Sequence, residues 1–200
     1  MEVLGGWVDP TRFSVYSSRM DTLLELLRTH AFRRGEVKLS SGKTSDFFVD
    51  CKQAVLRTEG HLLVGAALSE AVERVPPPVD AVAGVVLGGC SLASSVAMHT
   101  ALHGRGLDAI YVRKAEKEHG TRRRLEGSAS LAPGSRLVIV EDVVTTGGST
   151  LRAVAAIREE SFDVAGVIAI VDRLEGGRQA IEAAGLHFQA LYTRHDFMED

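Results

Sequence analysis

The sequence predicts an α/β domain whose central sheet is mostly parallel and is flanked by helices. Four apolar runs recur from residue 81 onwards, and amphipathic helical segments follow the first, third and fourth of them. The runs are Ala81–Leu87, Ile110–Val112, Leu137–Val140 and Val164–Val171. Strands that alternate with helices in this way form a parallel sheet covered on both faces. A weaker run over Phe188–Tyr192 predicts one more strand.

The length of the chain favours one domain. With 200 residues, of which 45% are hydrophobic and 24% charged, the chain can bury one sizeable core and is too short for two comfortable domains. Residues 1–19 show no clear periodicity and are expected to be an extension, a candidate for disorder, outside the domain at 20–200. Within that domain a small hood at about 20–55 precedes the core at about 56–200.

Charge and cysteine content exclude several classes of protein. A net charge of -3 and an isoelectric point near 6.2 give no general reason to bind nucleic acid or an anionic membrane. The sequence has neither a signal-peptide pattern nor an apolar run long enough to span a membrane. Cys51 and Cys90 lie far apart, which favours free thiols in the cytoplasm over a disulfide.

Shorter signals predict the elements that precede the sheet. Asp21 is expected to cap a first helix with one apolar face. That face consists of Leu23, Leu24, Leu27 and Ala31. Two β-prone runs, Val37–Leu39 and Phe47–Val49, bracket a Ser-Ser-Gly turn and indicate a hairpin. Thr58 is expected to cap a long helix through Val75, because three prolines follow it.

Glycines and charges gather where four of the predicted strands end. In open parallel sheets ligands bind beyond the carboxyl ends of the strands, where crossover loops and helix N-termini meet. Those ends carry, in chain order, Gly88-Gly89, Arg113-Lys114, Glu141-Asp142 and Asp172-Arg173. One charged strand end is common, but four on one edge indicate the ligand site.

The segment Leu137–Thr150 carries the most specific signal. It is an apolar strand that ends in two acids, followed by a Thr- and Gly-rich loop and a helix predicted over Ser149–Glu160. The loop N–H groups and the positive end of the helix suit a phosphate. Glu141 and Asp142 would repel a phosphate but suit ribose hydroxyls, so the spacing indicates a phosphorylated ribose. The other common phosphate motifs are absent, and the alternative is a capped strand-to-helix turn without a ligand.

This segment resembles the loop that binds 5-phosphoribosyl 1-pyrophosphate (PRPP) in the type I phosphoribosyltransferases. Residues 113–120 resemble the mobile catalytic loop of the orotate phosphoribosyltransferases, and Leu39–Ser45, Phe47-Phe48 and Val171–Arg173 agree with that family. The resemblance covers about residues 21–192. It implies the type I phosphoribosyltransferase fold, transfer of the phosphoribosyl group of PRPP to N1 of orotate, and release of pyrophosphate and orotidine 5'-monophosphate.

The resemblance also implies which residues form the site. It assigns PRPP binding to Arg113, Lys114, Lys117, His119, Glu141, Asp142, Val143, Val144, Thr145, Thr146, Gly147, Gly148 and Ser149. Lys117, His119 and Asp142 would be catalytic, since cations neutralise the departing pyrophosphate and carboxylates favour the cationic ribose. Mg²⁺ would be held mainly by PRPP and water, with no protein side chain as a direct ligand. Because the catalytic loop of this family reaches into the neighbouring subunit's site, a homodimer with shared active sites is implied.

Arg173 is the candidate for binding the carboxylate of orotate. It follows a strand, and a guanidinium pairs well with a carboxylate. Thr145 is the second orotate-binding candidate. The alternative for Arg173 is an ion pair with Asp172 or Glu175, and the alternative for residues 113–127 is a solvated loop rich in ion pairs.

Two positions depart from the family pattern. Many members have a lysine where this chain has Ser40, and another lysine where it has Gly88. Lys43 is near enough in sequence to replace the first. The backbone N–H groups of Gly88-Gly89 would take the place of the second.

Other functions stay open at this point. A purine phosphoribosyltransferase would share the PRPP loop but would be expected to stack its base on an aromatic residue, whereas Arg173 favours an acidic base. A PRPP-sensing regulator that binds nucleic acid would keep the loop without catalysis, and the acidic isoelectric point with Lys117 and His119 argues against it. A catalytically inactive structural relative is the third alternative.

Two weaker patterns have ordinary interpretations. His99 and His103 are spaced to share a metal on one helix, but no third ligand accompanies them, so a surface pair is expected. The run Arg122–Arg124 lies in the predicted mobile loop and has no interleaved aromatic residues for stacking on RNA. We expect it to be solvated and attractive to pyrophosphate.

Overall fold

The computed structural model of the protein describes residues 19–38, 44–76, 78–114 and 124–198. Four elements form the amino-terminal hood: α1 (Arg19–His30), β1 (Phe32–Lys38), β2 (Thr44–Val49) and α2 (Lys52–Val55). Strands β1 and β2 pair antiparallel, which confirms the predicted hairpin. The Ser40-Ser41-Gly42 turn lies outside the described residues, as does the predicted extension except for its last residue.

Two predicted helix caps are wrong. Helix α1 begins two residues before Asp21, so this carboxylate lies in the first turn, where it still favours the positive end of the helix dipole. Helix α3 (Thr58–Glu73) follows the hood, and its N-cap is the extended residue Arg57 rather than Thr58. The helix also ends two residues before Val75. Sequence periodicity marks a helix better than its terminal residues.

Within the described residues, the central sheet has six strands. They are β3 (Ala81–Val85), β4 (Asp108–Val112), β5 (Leu125–Glu126), β6 (Arg136–Val144), β7 (Asp163–Asp172) and β8 (His187–Thr193). Their order is β5-β4-β3-β6-β7-β8. All neighbouring pairs are parallel except β4 with β5. The mostly parallel sheet is therefore confirmed, and the two-residue β5 is an addition that the sequence did not predict.

Helices follow β3, β6 and β7, as predicted. They are α4 (Gly88–Leu102), α5 (Gly148–Glu159) and α6 (Gly177–Ala183), and a short α7 (Arg194–Met198) follows β8. No helix in the described part of the chain is both long and apolar enough to cross a bilayer. Cys51 and Cys90 are free thiols, in agreement with the prediction.

Strand β6 is longer than predicted. The apolar run ends at Val140, but the strand continues because Val143 and Val144 pair with residues of β7, whose own apolar run reaches Val171. Glu141 and Asp142 therefore lie within the strand and not beyond it. Their side chains consequently point to opposite faces of the sheet.

The buried side chains form two clusters, one on each face of the central sheet. Val138 and Val140 belong to the cluster that also contains the hood residues Leu23, Leu27 and Phe47. Leu137 and Ile139 belong to the cluster under α5 and α6. The hood thus shares a core with one face of the sheet, which fixes its position over the strand ends.

Candidate active site

The predicted phosphate loop is a short turn between β6 and α5. Gly147 has a φ of 77° and is the N-cap of α5, which begins one residue before the predicted Ser149. A Cβ at Gly147 would also lie 3.1 Å from the carbonyl oxygen of Gly177. Both the positive φ and the close approach require glycine here. The first turn of α5 then presents free backbone N–H groups, the usual partners of a bound phosphate.

The two acids of the motif have different surroundings. Glu141 is buried, with 5% of its surface exposed, whereas Asp142 is half-buried. The Thr150 hydroxyl donates to Glu141 Oε1 at 2.9 Å. Burial raises the pKa of Glu141 to about 7, and the Asp142 charge acts in the same direction, while the Thr150 hydrogen bond and Lys114 lower it. Glu141 therefore changes its charge near neutral pH.

Asp142 fills the space beside Gly88, the first residue of α4. A Cβ at Gly88 would lie 2.1 Å from Asp142 Oδ2. The other carboxylate oxygen accepts a hydrogen bond from the Val143 N–H at 2.9 Å. A side chain at position 88 would therefore require the carboxylate to move. The carboxylate is the end of a flexible side chain, so the space beside Asp142 depends on its rotamer.

A small cationic cavity separates the end of β4 from the start of α5. Its volume is about 60 Å³, and its polar lining consists of Arg113, Lys114, Arg124, Ser149 and Arg152. The Arg113 guanidinium also lies 3.1 Å from Glu126 in an exposed ion pair, as the solvated-loop alternative expected. The fold nevertheless brings two predicted pyrophosphate cations, Arg113 and Lys114, close to the first turn of α5.

The predicted catalytic residues Lys117 and His119 lie outside the described residues, as do Ser40 and Lys43. The described residues on either side of that segment, Lys114 and Arg124, both line this cavity. The Arg113 N–H donates to the Arg124 carbonyl at 2.8 Å. Glu160 supports that junction, since its carboxylate accepts the backbone N–H groups of Arg124 and Leu125 at 2.9 and 3.1 Å.

The loop after β7 is tied by main-chain hydrogen bonds to the turn between β6 and α5, Thr145–Ser149, which we call the phosphate turn after its predicted ligand. The Arg173 N–H donates to the Val144 carbonyl and the Gly177 N–H donates to the Thr145 carbonyl, both at 3.0 Å. The predicted orotate-binding residues Arg173 and Thr145 are therefore parts of one connected structure. They lie beside the acids of β6.

The Arg173 guanidinium lies at the junction between the hood and the sheet. The residue is 9% exposed, and its Nη2 is 2.8 Å from Glu175 Oε1. The same nitrogen donates to the Phe47 carbonyl at 3.5 Å. The guanidinium carbon is 5.6 Å from the centroid of the Phe47 ring. The predicted alternative, an ion pair with Glu175, is thus present in the structure. The other predicted partner, Asp172, contacts Arg178 instead, at 3.4 Å.

Sequence reasoning missed the structural roles of two residues that shape the site. Thr150 stands in the motif but had no predicted role. Asp172 is fully buried and accepts the Leu174 N–H at 2.9 Å, in a turn where Leu174 has a φ of 59°. An aspartate that bonds the backbone two residues on is a recognised turn signal. It would have predicted the sharp bend that carries Arg173.

The histidine pair is a surface feature. The rings of His99 and His103 stack with centroids 4.1 Å apart, and His103 Nδ1 is 2.7 Å from the His99 carbonyl. Over the described ranges, no group of three His, Cys, Asp or Glu side chains is placed to hold a metal ion.

Comparisons with known proteins identify the family of the chain. The family model described as phosphoribosyl transferase domain matches residues 58–182. An orotate phosphoribosyltransferase of Sorangium cellulosum is 54% identical over 92% of this chain and 95% of its own length. One from Synechocystis is 42% identical over 88% of this chain and 87% of its own length.

Solved structures agree as well. The Mycobacterium tuberculosis orotate phosphoribosyltransferase in complex with PRPP has a TM-score of 0.74 and 33% identity, over 90% of this chain and 99% of its own. A phosphoribosyltransferase from Corynebacterium diphtheriae has a TM-score of 0.77 and 34% identity, over 91% and 99%. The chain therefore belongs to the phosphoribosyltransferase family, and within it to the orotate phosphoribosyltransferases.

Proposed function

We propose that the protein transfers the 5-phosphoribosyl group of PRPP to N1 of orotate, giving orotidine 5'-monophosphate and pyrophosphate in pyrimidine (UMP) synthesis. The observation that carries this proposal is the link between the phosphate turn and the Arg173 loop, made by two N–H donors at 3.0 Å. This link supports the proposal, because it joins the turn that would bind a phosphate to the loop that carries Arg173. The named relatives support the same activity.

The β6 motif would bind the phosphoribosyl half of PRPP. The 5'-phosphate would lie against the turn Thr145–Ser149, where it accepts backbone N–H groups at the positive end of α5. Glu141 and Asp142 would accept hydrogen bonds from the ribose hydroxyls. Their negative charge would also favour the positive charge that develops on the ribose ring as pyrophosphate departs.

The cations near the end of β4 would bind the pyrophosphate. Arg113 and Lys114 line the cavity at the first turn of α5, and we assign Lys117 and His119 to the departing oxygens. Mg²⁺ is the proposed cofactor, held mainly by pyrophosphate oxygens and water, because it prefers hard oxygen ligands and keeps several waters. When bound, it neutralises negative charge on the leaving group. Among the described groups, the half-buried Asp142 carboxylate has the charge to receive its water ligands.

Orotate would bind between the Arg173 loop and the hood. Its carboxylate would pair with the Arg173 guanidinium, which lies next to Phe47. Thr145, tied to the same loop through its carbonyl, would contact the base. The carboxylate of orotate and Glu175 would then share one guanidinium.

We further propose that the protein is a cytoplasmic homodimer with shared active sites, without nucleic-acid or membrane partners. In the family the segment that corresponds to residues 113–120 reaches into the neighbouring site. Helices α3 and α4 expose Leu62, Met98 and Leu102 at 45%, 45% and 56%. A second copy of the chain would cover such apolar surface.

A base-competition assay tests the proposed reaction. The protein is incubated with PRPP, Mg²⁺ and one of orotate, hypoxanthine or adenine, and the nucleotide formed is identified by chromatography. We expect orotidine 5'-monophosphate and no purine nucleotide. An Arg173→Met variant should lose orotate turnover while it retains PRPP binding. Absence of orotidine 5'-monophosphate would contradict the proposal, and a purine nucleotide would support the purine alternative.

A further inference from the structure

Thr150 connects the two halves of the phosphoribosyl site. It is the third residue of α5, the helix whose first turn faces the phosphate, and it is 1% exposed. Its hydroxyl donates to Glu141 Oε1 of β6 across 2.9 Å. One side chain of the phosphate-binding helix therefore holds one acid of the ribose-binding strand.

The hydrogen bond leaves one carboxylate oxygen for a ligand. The backbone of Glu141 is fixed in β6 by pairing with Ala169 of β7. Within the described part of the chain, its carboxylate makes one hydrogen bond, through Oε1. We propose that Thr150 is a positioning residue for ribose binding: its hydroxyl holds Glu141 so that Oε2 faces the ribose hydroxyls of PRPP. This inference rests on the proposed function, because PRPP is the ligand it requires.

Electrostatics gives the same hydrogen bond a second effect. Burial and the neighbouring Asp142 raise the pKa of Glu141 to about 7, and Thr150 opposes them together with Lys114 from the end of β4. Loss of the hydroxyl removes one of the two opposing groups, so the pKa rises further and less of Glu141 is ionised at neutral pH. A protonated carboxyl is the weaker acceptor for ribose hydroxyls.

The test compares Thr150→Val, which keeps the shape and removes the hydroxyl, with Thr150→Ser, which keeps the hydroxyl. PRPP affinity is measured by calorimetry as a function of pH. We expect Thr150→Val to weaken PRPP binding by about tenfold below neutral pH. Its deficit should shrink as the pH rises above the Glu141 pKa, so the pH midpoint of PRPP affinity moves upward. Thr150→Ser should stay within about threefold of the unchanged protein.

A double-mutant cycle separates positioning from a general structural role. If Thr150 acts through Glu141, adding Thr150→Val to Glu141→Gln should change PRPP affinity by less than about twofold. An unshifted pH profile in Thr150→Val would overturn the proposal. So would a full tenfold loss in the Glu141→Gln background.

The double-mutant cycle tests the role of Thr150, whereas the turnover assay tests the proposed reaction. If the unchanged protein binds PRPP but forms no orotidine 5'-monophosphate, the proposed reaction fails and the Thr150 inference is still tested by binding. If orotate turnover is present and Thr150→Val binds PRPP normally across the pH range, the Thr150 inference alone fails. Thermal unfolding of both variants identifies any loss of affinity that comes from misfolding.

Discussion

Glu141 and Asp142 are adjacent in sequence but belong to different environments. Alternation along β6 directs one carboxylate to Thr150 of α5 and the other to Gly88 of α4. The first is buried and the second half-buried, and burial raises the pKa of Glu141 to about 7. The sequence indicated a carboxylate pair but could not indicate this difference, because it depends on helices that lie on opposite faces of the sheet.

The raised pKa of Glu141 makes stability depend on pH. In the unfolded chain the group has its ordinary pKa of 4.5, against about 7 in the folded protein. The folded protein therefore binds the Glu141 proton more tightly than the unfolded chain does. The stabilisation of the folded protein that results is fully present below pH 4.5 and is lost as the pH rises through 7. Glu141→Gln removes that loss. As the pH rises from acidic to mildly alkaline, we expect the free energy of unfolding of the variant to increase by up to about 3 kcal/mol relative to that of the unchanged protein.

Urea unfolding at several pH values measures this effect. The matched control is Glu182→Gln, which removes the same charge from the exposed face of α6. We expect the control to change the free energy of unfolding by less than about 1 kcal/mol. A stability difference between Glu141→Gln and the unchanged protein that does not vary with pH would contradict burial of the ionised carboxylate.

Lys117 is expected to act on the leaving group and not on substrate affinity. Lys117→Ala should lower kcat by about a hundredfold, because a cation aimed at developing charge stabilises mainly the transition state. PRPP affinity should change by less than about threefold. Steady-state kinetics and calorimetry give the two quantities separately. Equal losses in both would show that Lys117 serves binding and not pyrophosphate departure.

The phosphate turn and the loop after β7 support each other. Two backbone N–H groups of one loop are satisfied by carbonyls of the other. Gly147 and Gly177 make the close approach possible, since a Cβ at Gly177 would lie 2.4 Å from Val144 Cγ1 and 2.8 Å from the Thr145 carbonyl oxygen. The proposed 5'-phosphate and orotate sites are therefore held in one geometry.

Gly177→Ala should separate these two loops. The added methyl would press on the Val144 side chain and on backbone, so we expect a loss of about 2 kcal/mol in the free energy of unfolding. Weaker PRPP and orotate binding should follow together. Gly148→Ala is the stability control, because its Cβ would have its nearest neighbour at 3.5 Å, an ordinary contact. Similar stability losses in the two variants would rule out steric separation as the cause.

Element boundaries were predicted less well than the elements themselves. Hydrophobic runs predicted the long strands of the central sheet, because buried strands of a parallel sheet are continuously apolar. Strand β1 (Phe32–Lys38) begins five residues before the predicted run Val37–Leu39, because its first part is mostly polar and is defined by pairing with β2. The hydrophobic runs also missed the extension of β6 through Glu141 to Val144, since that part of the strand is defined by pairing with β7. The short β5 was missed for the same reason. Its pairing with Tyr111 and Val112 creates the strand, without an apolar run of its own.

One hydrophobic core supports both the hood and the sheet. Phe47 of β2 packs against Phe197 of α7, with ring centroids 5.8 Å apart, and its carbonyl accepts from Arg173. The Cys51 thiol lies 3.8 Å from the Asp142 carbonyl oxygen. The alignment of the carboxyl ends of parallel strands could predict which residues share one edge of the sheet. It could not predict these contacts, because they join segments that are 91 residues or more apart.

The proposed shared active sites predict rescue between two inactive variants. Lys117→Ala removes a group supplied to the partner's site, whereas Asp142→Asn removes a group of the chain's own site. After mixing and subunit exchange, hybrid dimers should contain one site with neither defect. We expect orotate turnover to reappear at roughly a quarter of the unchanged level. The unmixed variants are the controls, and light scattering measures the mass of the oligomer in each sample. Mixtures that stay inactive despite exchange would contradict shared sites.

The contact between Gly88 and Asp142 couples position 88 to the conformation of one acid of the motif. Any side chain at position 88 begins with a carbon that would overlap the Asp142 carboxylate at 2.1 Å. A replacement of Gly88 by lysine therefore requires the Asp142 side chain to adopt another rotamer, which also moves the carboxylate oxygen that accepts from the Val143 N–H. Position 88 can thus add a side chain to this edge of the sheet only if the present Asp142 conformation is given up.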